Sequence, residues 1–333
     1  MLATFITTLT PLLMLFFCIA IGFAARTSGI LPDNAGGVMS KLEAYIFCPA
    51  LNFVTMARYC TVQTLGTHAV NLILASCAVG VAIALAIPIA SILTRRRRAE
   101  RGIYRYALTF ANSGYMGDPL VLALFGSATL ALYKMYTLPL NIATYTWGIA
   151  QIMPQDAQEP RNLRTLLCKL CNPPILSLLA GIAVGLSGAG ELLPTFFVSS
   201  LESLKACLGP VAMLLVGFTV AGYHLPSLLK IREVYIASIL RLTLLPALVV
   251  AAVWGLKTAA SHLFGIPIGH AVLFLCFFTV ATPLGLNTVV FPEAYGGDPR
   301  PGASMALISH ALCVISIPLL FSLMTVLFGT PNF

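Results

Sequence analysis

Six windows of this chain hold no Asp, Glu, Lys or Arg: residues 1–25, 59–94, 135–155, 206–229, 258–292 and 301–333. Each can supply the roughly 20 apolar residues that a helix needs to cross the hydrocarbon of a bilayer. Composition points the same way. Hydrophobic residues make up 59% of the 333 and charged residues 9%, against about 25% charged in an ordinary soluble domain. So little charge cannot cover a water-facing surface. The length is consumed by helices joined through short loops, and no stretch is left over for a soluble domain.

The pattern predicts an all-α membrane protein with ten transmembrane helices near 6–25, 37–57, 68–94, 104–126, 128–151, 172–189, 196–222, 233–257, 268–292 and 302–328. With ten spans both ends of the chain lie on one side. Fourteen of the 19 Lys and Arg residues, among them Arg26, Lys41, the run Arg95 to Arg98, Arg161, Arg164, Lys169, Lys230 and Arg300, fall after odd-numbered helices. The positive-inside rule then puts those loops in the cytoplasm and both termini outside, as expected for a multi-pass protein of the cell inner membrane. The net charge of +8 is therefore a topology signal. It lacks the basic face with interleaved aromatics that nucleic acid needs, and no nucleic-acid partner is expected. The first span lacks a basic leader and a small-residue cleavage site, so it is expected to stay in the protein. Cys168 and Cys171 form a lone CxxC without a second pair or a His at zinc spacing, and no metal site is expected.

The chain carries a trace of repetition. Pro49 and Pro210 are 161 residues apart, and Pro119 and Pro283 are 164 apart. A common offset divides the chain into a five-helix repeat over 1–151, a cytoplasmic connecting loop over 152–171 and a second repeat over 172–333. An odd number of spans per half forces the halves into opposite orientations, the inverted-repeat plan of many secondary transporters.

Two segments break the helical pattern at matching places. Asn112-Ser113-Gly114-Tyr115-Met116-Gly117-Asp118-Pro119 lies in the fourth helix and Thr282-Pro283-Leu284-Gly285-Leu286-Asn287 in the ninth. Gly and Pro in mid-membrane unwind the backbone, and the freed groups must face protein or water. Paired, broken helices point to a transporter's binding site. Asn112, Ser113, Gly114, Thr282, Pro283, Gly285 and Asn287 are the candidate substrate-binding residues, with Pro119 and Pro283 as the prolines of the two breaks. Half-helix N-termini offer partial positive charge to an anion, and the amides and hydroxyls add neutral hydrogen bonds.

Asp118 reads as the only acid deep in a span, where a charge costs about 2.5–3.5 kcal/mol or more. It can bind a coupling proton or sodium, cap a half-helix or pair with a base. Arg241 and Lys134 are candidate counter-charges for an anion, although both can snorkel toward the interface, the reading preferred for Arg241. His310 reads as a packing histidine, and the other four histidines fall near helix ends. No Walker A sequence, GxSxG or catalytic carboxylate pair is present, so no enzyme activity and no cofactor are expected.

These motifs resemble the auxin efflux carrier family, which includes plant auxin carriers and bacterial carriers annotated for malonate and other organic anions. The resemblance runs through Ile21-Gly22-Phe23, Gly29-Ile30-Leu31, Ile46-Phe47-Cys48-Pro49-Ala50-Leu51, Asn112-Ser113-Gly114, Gly117-Asp118-Pro119 and Leu124-Phe125-Gly126. It continues in Asn172-Pro173-Pro174, Leu215-Val216-Gly217, Ala281-Thr282-Pro283 and Tyr295-Gly296-Gly297-Asp298. It implies inverted five-helix repeats, broken fourth and ninth helices crossing at Pro119 and Pro283, a homodimer, elevator-like motion and a substrate near Asn112. One departure stands out. Asp118 occupies the position before the proline where plant members have an apolar residue, which leaves ion coupling open.

The expected function is a secondary transporter that moves a small organic anion across the lipid bilayer by alternating access. A sodium- or proton-coupled symporter or exchanger using Asp118 is the alternative of the same fold. A membrane sensor that binds but moves nothing is the alternative of another class.

Overall fold

The computed structural model describes residues 2–152, 173–223, 226, 229–265, 268–285, 287–288 and 300–331. Among the described residues every regular element is a helix. α1 is Leu2–Thr27, and α2, Ala35–Leu42, runs through a π turn at Glu43–Phe47 into α3, Cys48–Tyr59. α4 is Val62–Leu93 and α5 is Arg101–Thr109. A second π turn, Ser113–Gly117, leads into α6, Asp118–Ala143, and a third, Thr144–Gly148, into α7, Ile149–Ile152. α8 is Pro173–Leu186, α9 is Thr195–Ala221, α10 is Arg232–Leu242, α11 is Leu244–Phe264, α12 is Ala271–Ala281 and α13 is Arg300–Phe328.

Six of these stretches are long and apolar enough to cross a membrane: Thr4–Thr27, His68–Leu93, Ser113–Ala143, Thr195–Ala221, Arg232–Leu263 and Arg300–Phe328. Pro173–Leu186 and Ala271–Ala281 are shorter apolar helices. The six long stretches overlap expected spans, and their bounds shift for local reasons. α4 begins earlier than 68 because Thr61 caps it, its Oγ1 accepting from the Thr64 N–H at 3.1 Å. The expected span 233–257 is divided at Thr243 (φ −123°, ψ −69°) and runs on to Phe264. Gly126 (φ 81°, ψ −179°) interrupts α6 between the expected fourth and fifth helices, in a conformation that side chains with a Cβ rarely adopt. Most of the connecting loop, with Cys168 and Cys171, and the stretch Tyr295 to Asp298 lie outside the described residues.

Two helix pairs come close enough for backbones to touch. α1 packs along α9, where a Cβ on Gly22 would strike the Leu214 carbonyl and one on Gly217 the Ile19 carbonyl. α8 packs along α3, with Gly181 and Gly185 against the backbone of Phe53, Met56 and Cys60. Small residues at such crossings are how helices gain van der Waals contact where lipid removes the hydrophobic drive. α12 is buried on every side from Val272 to Ala281, as a helix apolar all round must be. Its Phe274 and Phe278 pack on Phe321, and Phe278 also on Phe125, with ring centroids 5.4–5.7 Å apart. Leu13, Met14 and Phe17 of α1 are more than half exposed, an apolar face suited to lipid.

Candidate functional site

α5 stops at Thr109, and Phe110 continues in extended conformation (φ −100°, ψ 118°). In an unbroken helix the Asn112 N–H would bond the Leu108 carbonyl. Here it donates to the Pro283 carbonyl at 2.7 Å, and Ala111 and Leu284 form an antiparallel bridge. The orphaned Leu108 carbonyl accepts instead from Arg241 Nη1 at 3.2 Å. The second break mirrors the first. Thr282 is extended (ψ 153°), Pro283 has no N–H to place, and the Leu284 N–H donates to Ser309 Oγ at 3.4 Å. The two breaks thus cross backbone to backbone and satisfy each other, the condition for unwound chain at membrane depth.

Beyond the crossing the chain rewinds. The Asn112 carbonyl accepts from the N–H groups of Met116 (3.2 Å) and Gly117 (3.0 Å), which closes the wide π turn. Tyr133 pins that turn to α12, its hydroxyl within 3.3 Å of both the Ser113 and Phe278 carbonyls. A Cβ at Gly117 would run into that hydroxyl.

A cavity of about 130 Å³ lies at the crossing. It brings together seven of the residues singled out by sequence: Asn112, Ser113, Gly114, Asp118, Lys134, Gly285 and Asn287. Cys48, Asn52, Tyr106, Thr137 and Asn141 complete the part of the wall used below. Asn287 donates to the Tyr106 hydroxyl at 3.2 Å, and Asn52 to the Pro174 carbonyl at 2.8 Å. Ser113, Gly114 and Tyr115 place the first turn of a half-helix on the wall, the end that carries partial positive charge.

Asp118 and Lys134 form a buried ion pair, Nζ to Oδ2 2.5 Å, with side chains 1% and 5% exposed. Asp118 Oδ1 has no partner, and one of the three ammonium donors is committed to Asp118. Lys134 therefore does not snorkel. Arg241 does not snorkel either: it is 1% exposed, and its bond to Leu108 holds it inside the bundle as a strut of the break, away from the cavity wall. Thr282, Pro283 and Pro119 also stay off the wall. Pro283 contributes its carbonyl to the crossing, Thr282 Oγ1 is buried without a partner, and Pro119 lies next to Gly209 of α9.

His310 packs inside α13 but is also joined to the site. Its Nδ1 is 2.8 Å from the Ala306 carbonyl, which can only accept. Nε2, 3.4 Å from Asn112 Nδ2, is then the acceptor, and this assignment turns the Asn112 amide oxygen away from the imidazole. A second deep acid escapes sequence reasoning. Glu43 is fully buried in the first π turn with neither carboxyl oxygen partnered, so Asp118 is not alone. A place two turns into a helix does not distinguish a wet acid from one covered by neighbouring helices. Among the described residues, no three His, Cys, Asp or Glu side chains gather as a metal site.

The sequence profile of the membrane transport protein family matches residues 7–321. The chain belongs to that family. It is the auxin efflux carrier family that the motifs resemble, a family of transporters and not of enzymes. An uncharacterized transporter of Methanocaldococcus jannaschii is 23% identical over 239 residues, covering 71% of this chain and 75% of the relative. The crossing, its cavity and the apolar helices are thus features of a multi-pass membrane transporter.

Proposed function

We propose that this carrier moves a small organic anion, a mono- or dicarboxylate, by alternating access around the crossing. The observation that carries the reading is Lys134 on the cavity wall, beside a half-helix N-terminus and neutral amides. An anion entering there meets an ammonium whose single acidic partner can be outcompeted or protonated. Asn112, Ser113 and Asn287 would orient the carboxylate and set its distance from Lys134.

The helix order supports two inverted halves of five spans. Under that pairing α1 corresponds to α8 and α2–α3 to α9, so the close contact of α1 with α9 has its counterpart in α8 with α3. The basic loop at Arg95 to Arg98 then faces the cytoplasm and both termini lie outside. The α1, α3, α8 and α9 group would serve as the stationary scaffold and dimer contact, and the crossing with α12 and α13 would move as the elevator body. The unpartnered Asp118 Oδ1 favours a second reading, in which a proton or sodium ion at Asp118 is coupled to the anion.

The test is uptake of labelled malonate and of a panel of small carboxylates into proteoliposomes without ATP. Wild type should accumulate at least one of them, and Lys134→Gln and Asn112→Ala should reduce uptake while remaining folded. Collapsing a sodium or a proton gradient distinguishes the coupled from the uncoupled scheme. Lack of uptake of every carboxylate by well-folded protein would refute the anion reading.

A further inference from the structure

Glu43 opens the π turn between α2 and α3, fully buried, with both carboxyl oxygens unpartnered. The elements packed on this turn are α2, α3, α8 and α9. α8 brings no titratable side chain. α9 brings Glu202, Lys205 and Cys207, of which Lys205 is held by Glu202 at 3.0 Å and by Ser127 at 3.4 Å, and Cys207 is exposed. On its own helix Lys41 and Tyr45 are exposed, and Arg58 lies over the Tyr59 ring at the far end. Cys48 remains. Its N–H closes the wide turn onto the Glu43 carbonyl, and its thiol is within electrostatic reach of Glu43, Lys134 and Asp118 together. Cys48 and Ala44, the residue after Glu43, both line the cavity.

A buried carboxylate with no donor and no counter-charge is not sustained as an anion. Glu43 is therefore held as the neutral acid in this conformation. A proton is the ligand that such a carboxyl binds without any further donor around it. An acid differs from an amide of the same shape mainly in that it can release that proton. π turns inside helices are frequently found at functional sites, and in this one the next residue after the acid, Ala44, lies on the cavity wall.

We propose that Glu43 is a proton-binding site of the transport cycle. The proton is loaded on the carboxyl in the conformation described here. It leaves to cavity water when the moving body slides along the wall formed by Ala44 and Cys48, and returns from water on the other side of the membrane. This rests on the carrier reading of the cavity, and the two arms of the test separate them.

The first arm needs no substrate. Infrared difference spectra of the full chain in lipid nanodiscs are recorded across pH, in the carbonyl stretch of protonated carboxyl groups. A band that titrates in wild type should be missing from Glu43→Gln at every pH, and Glu43→Asp should keep a band with a displaced midpoint. Superimposable wild-type and Glu43→Gln spectra at every pH would overturn the proposal. The second arm uses proteoliposomes holding a pH dye and a malonate gradient. Wild type should move protons with malonate, and Glu43→Gln should exchange malonate while losing the proton signal. Equal proton signals in the two proteins would overturn the proposal. If malonate is inert in wild type, the carrier reading loses support and the infrared arm alone decides Glu43.

Discussion

The two breaks interrupt facing helices, yet they are built differently. The first is extended for a few residues, rewinds through a π turn, and is followed at once by Asp118, paired with Lys134. The second turns extended at Thr282 and is helical again at Asn287, has no charged side chain between 282 and 288, and holds a buried hydroxyl with no partner. Backbone duty is shared, because the Pro283 carbonyl takes the N–H that Leu108 lost. Charge is not shared. The cavity is asymmetric as a result: α6 supplies the ion pair, and the second break supplies a neutral wall through Gly285 and Asn287.

The contrast can be broken by mutation, beginning with the ion pair. Lys134→Met leaves Asp118 buried and alone, and should cost about 3–5 kcal/mol of stability. The double variant Asp118→Asn with Lys134→Met should recover most of that in thermal unfolding in detergent. Equal loss in single and double variants would mean the charges are not coupled. Next come the glycines of the two breaks. Gly117→Ala drives a Cβ into the Tyr133 hydroxyl and should cost about 1–3 kcal/mol. Gly285→Ala meets the Ala111 carbonyl at an ordinary 3.5 Å, and should stay within about 0.5 kcal/mol. Matching losses would erase the distinction.

Asn112→Ala keeps the backbone bond to Pro283 and loses the amide next to His310, so it should cost about 1 kcal/mol of stability. Its larger effect should be on carboxylate uptake. The smallest change belongs to Thr282→Val. Its hydroxyl is unpartnered, so the variant should be neutral or more stable by about 0.5 kcal/mol in the same unfolding assay.

The six long apolar stretches and both breaks were legible because their signals are local: charge-free length, and Gly with Pro at fixed places. Even the division at Gly126 agrees with the gap between two expected helices. The ion pair was not legible as a pair. Asp118 and Lys134 are 16 residues apart and meet only because α6 turns at Gly126 between them. Arg241 was misread for a related reason. Distance from a helix end suggests snorkelling, but the carbonyl that captures Arg241 is freed 133 residues away by a break in another helix. The same limit hid Glu43, whose burial comes from α8 and α9 and not from its own helix.

The most direct test is an experimental density map of the protein in lipid nanodiscs with malonate present. It should show chain crossing at Ala111 and Leu284, with anion density between Lys134 and the Asn112 amide. Unbroken helices through 109–117 and 279–288, with Asp118 and Lys134 turned to lipid, would contradict it.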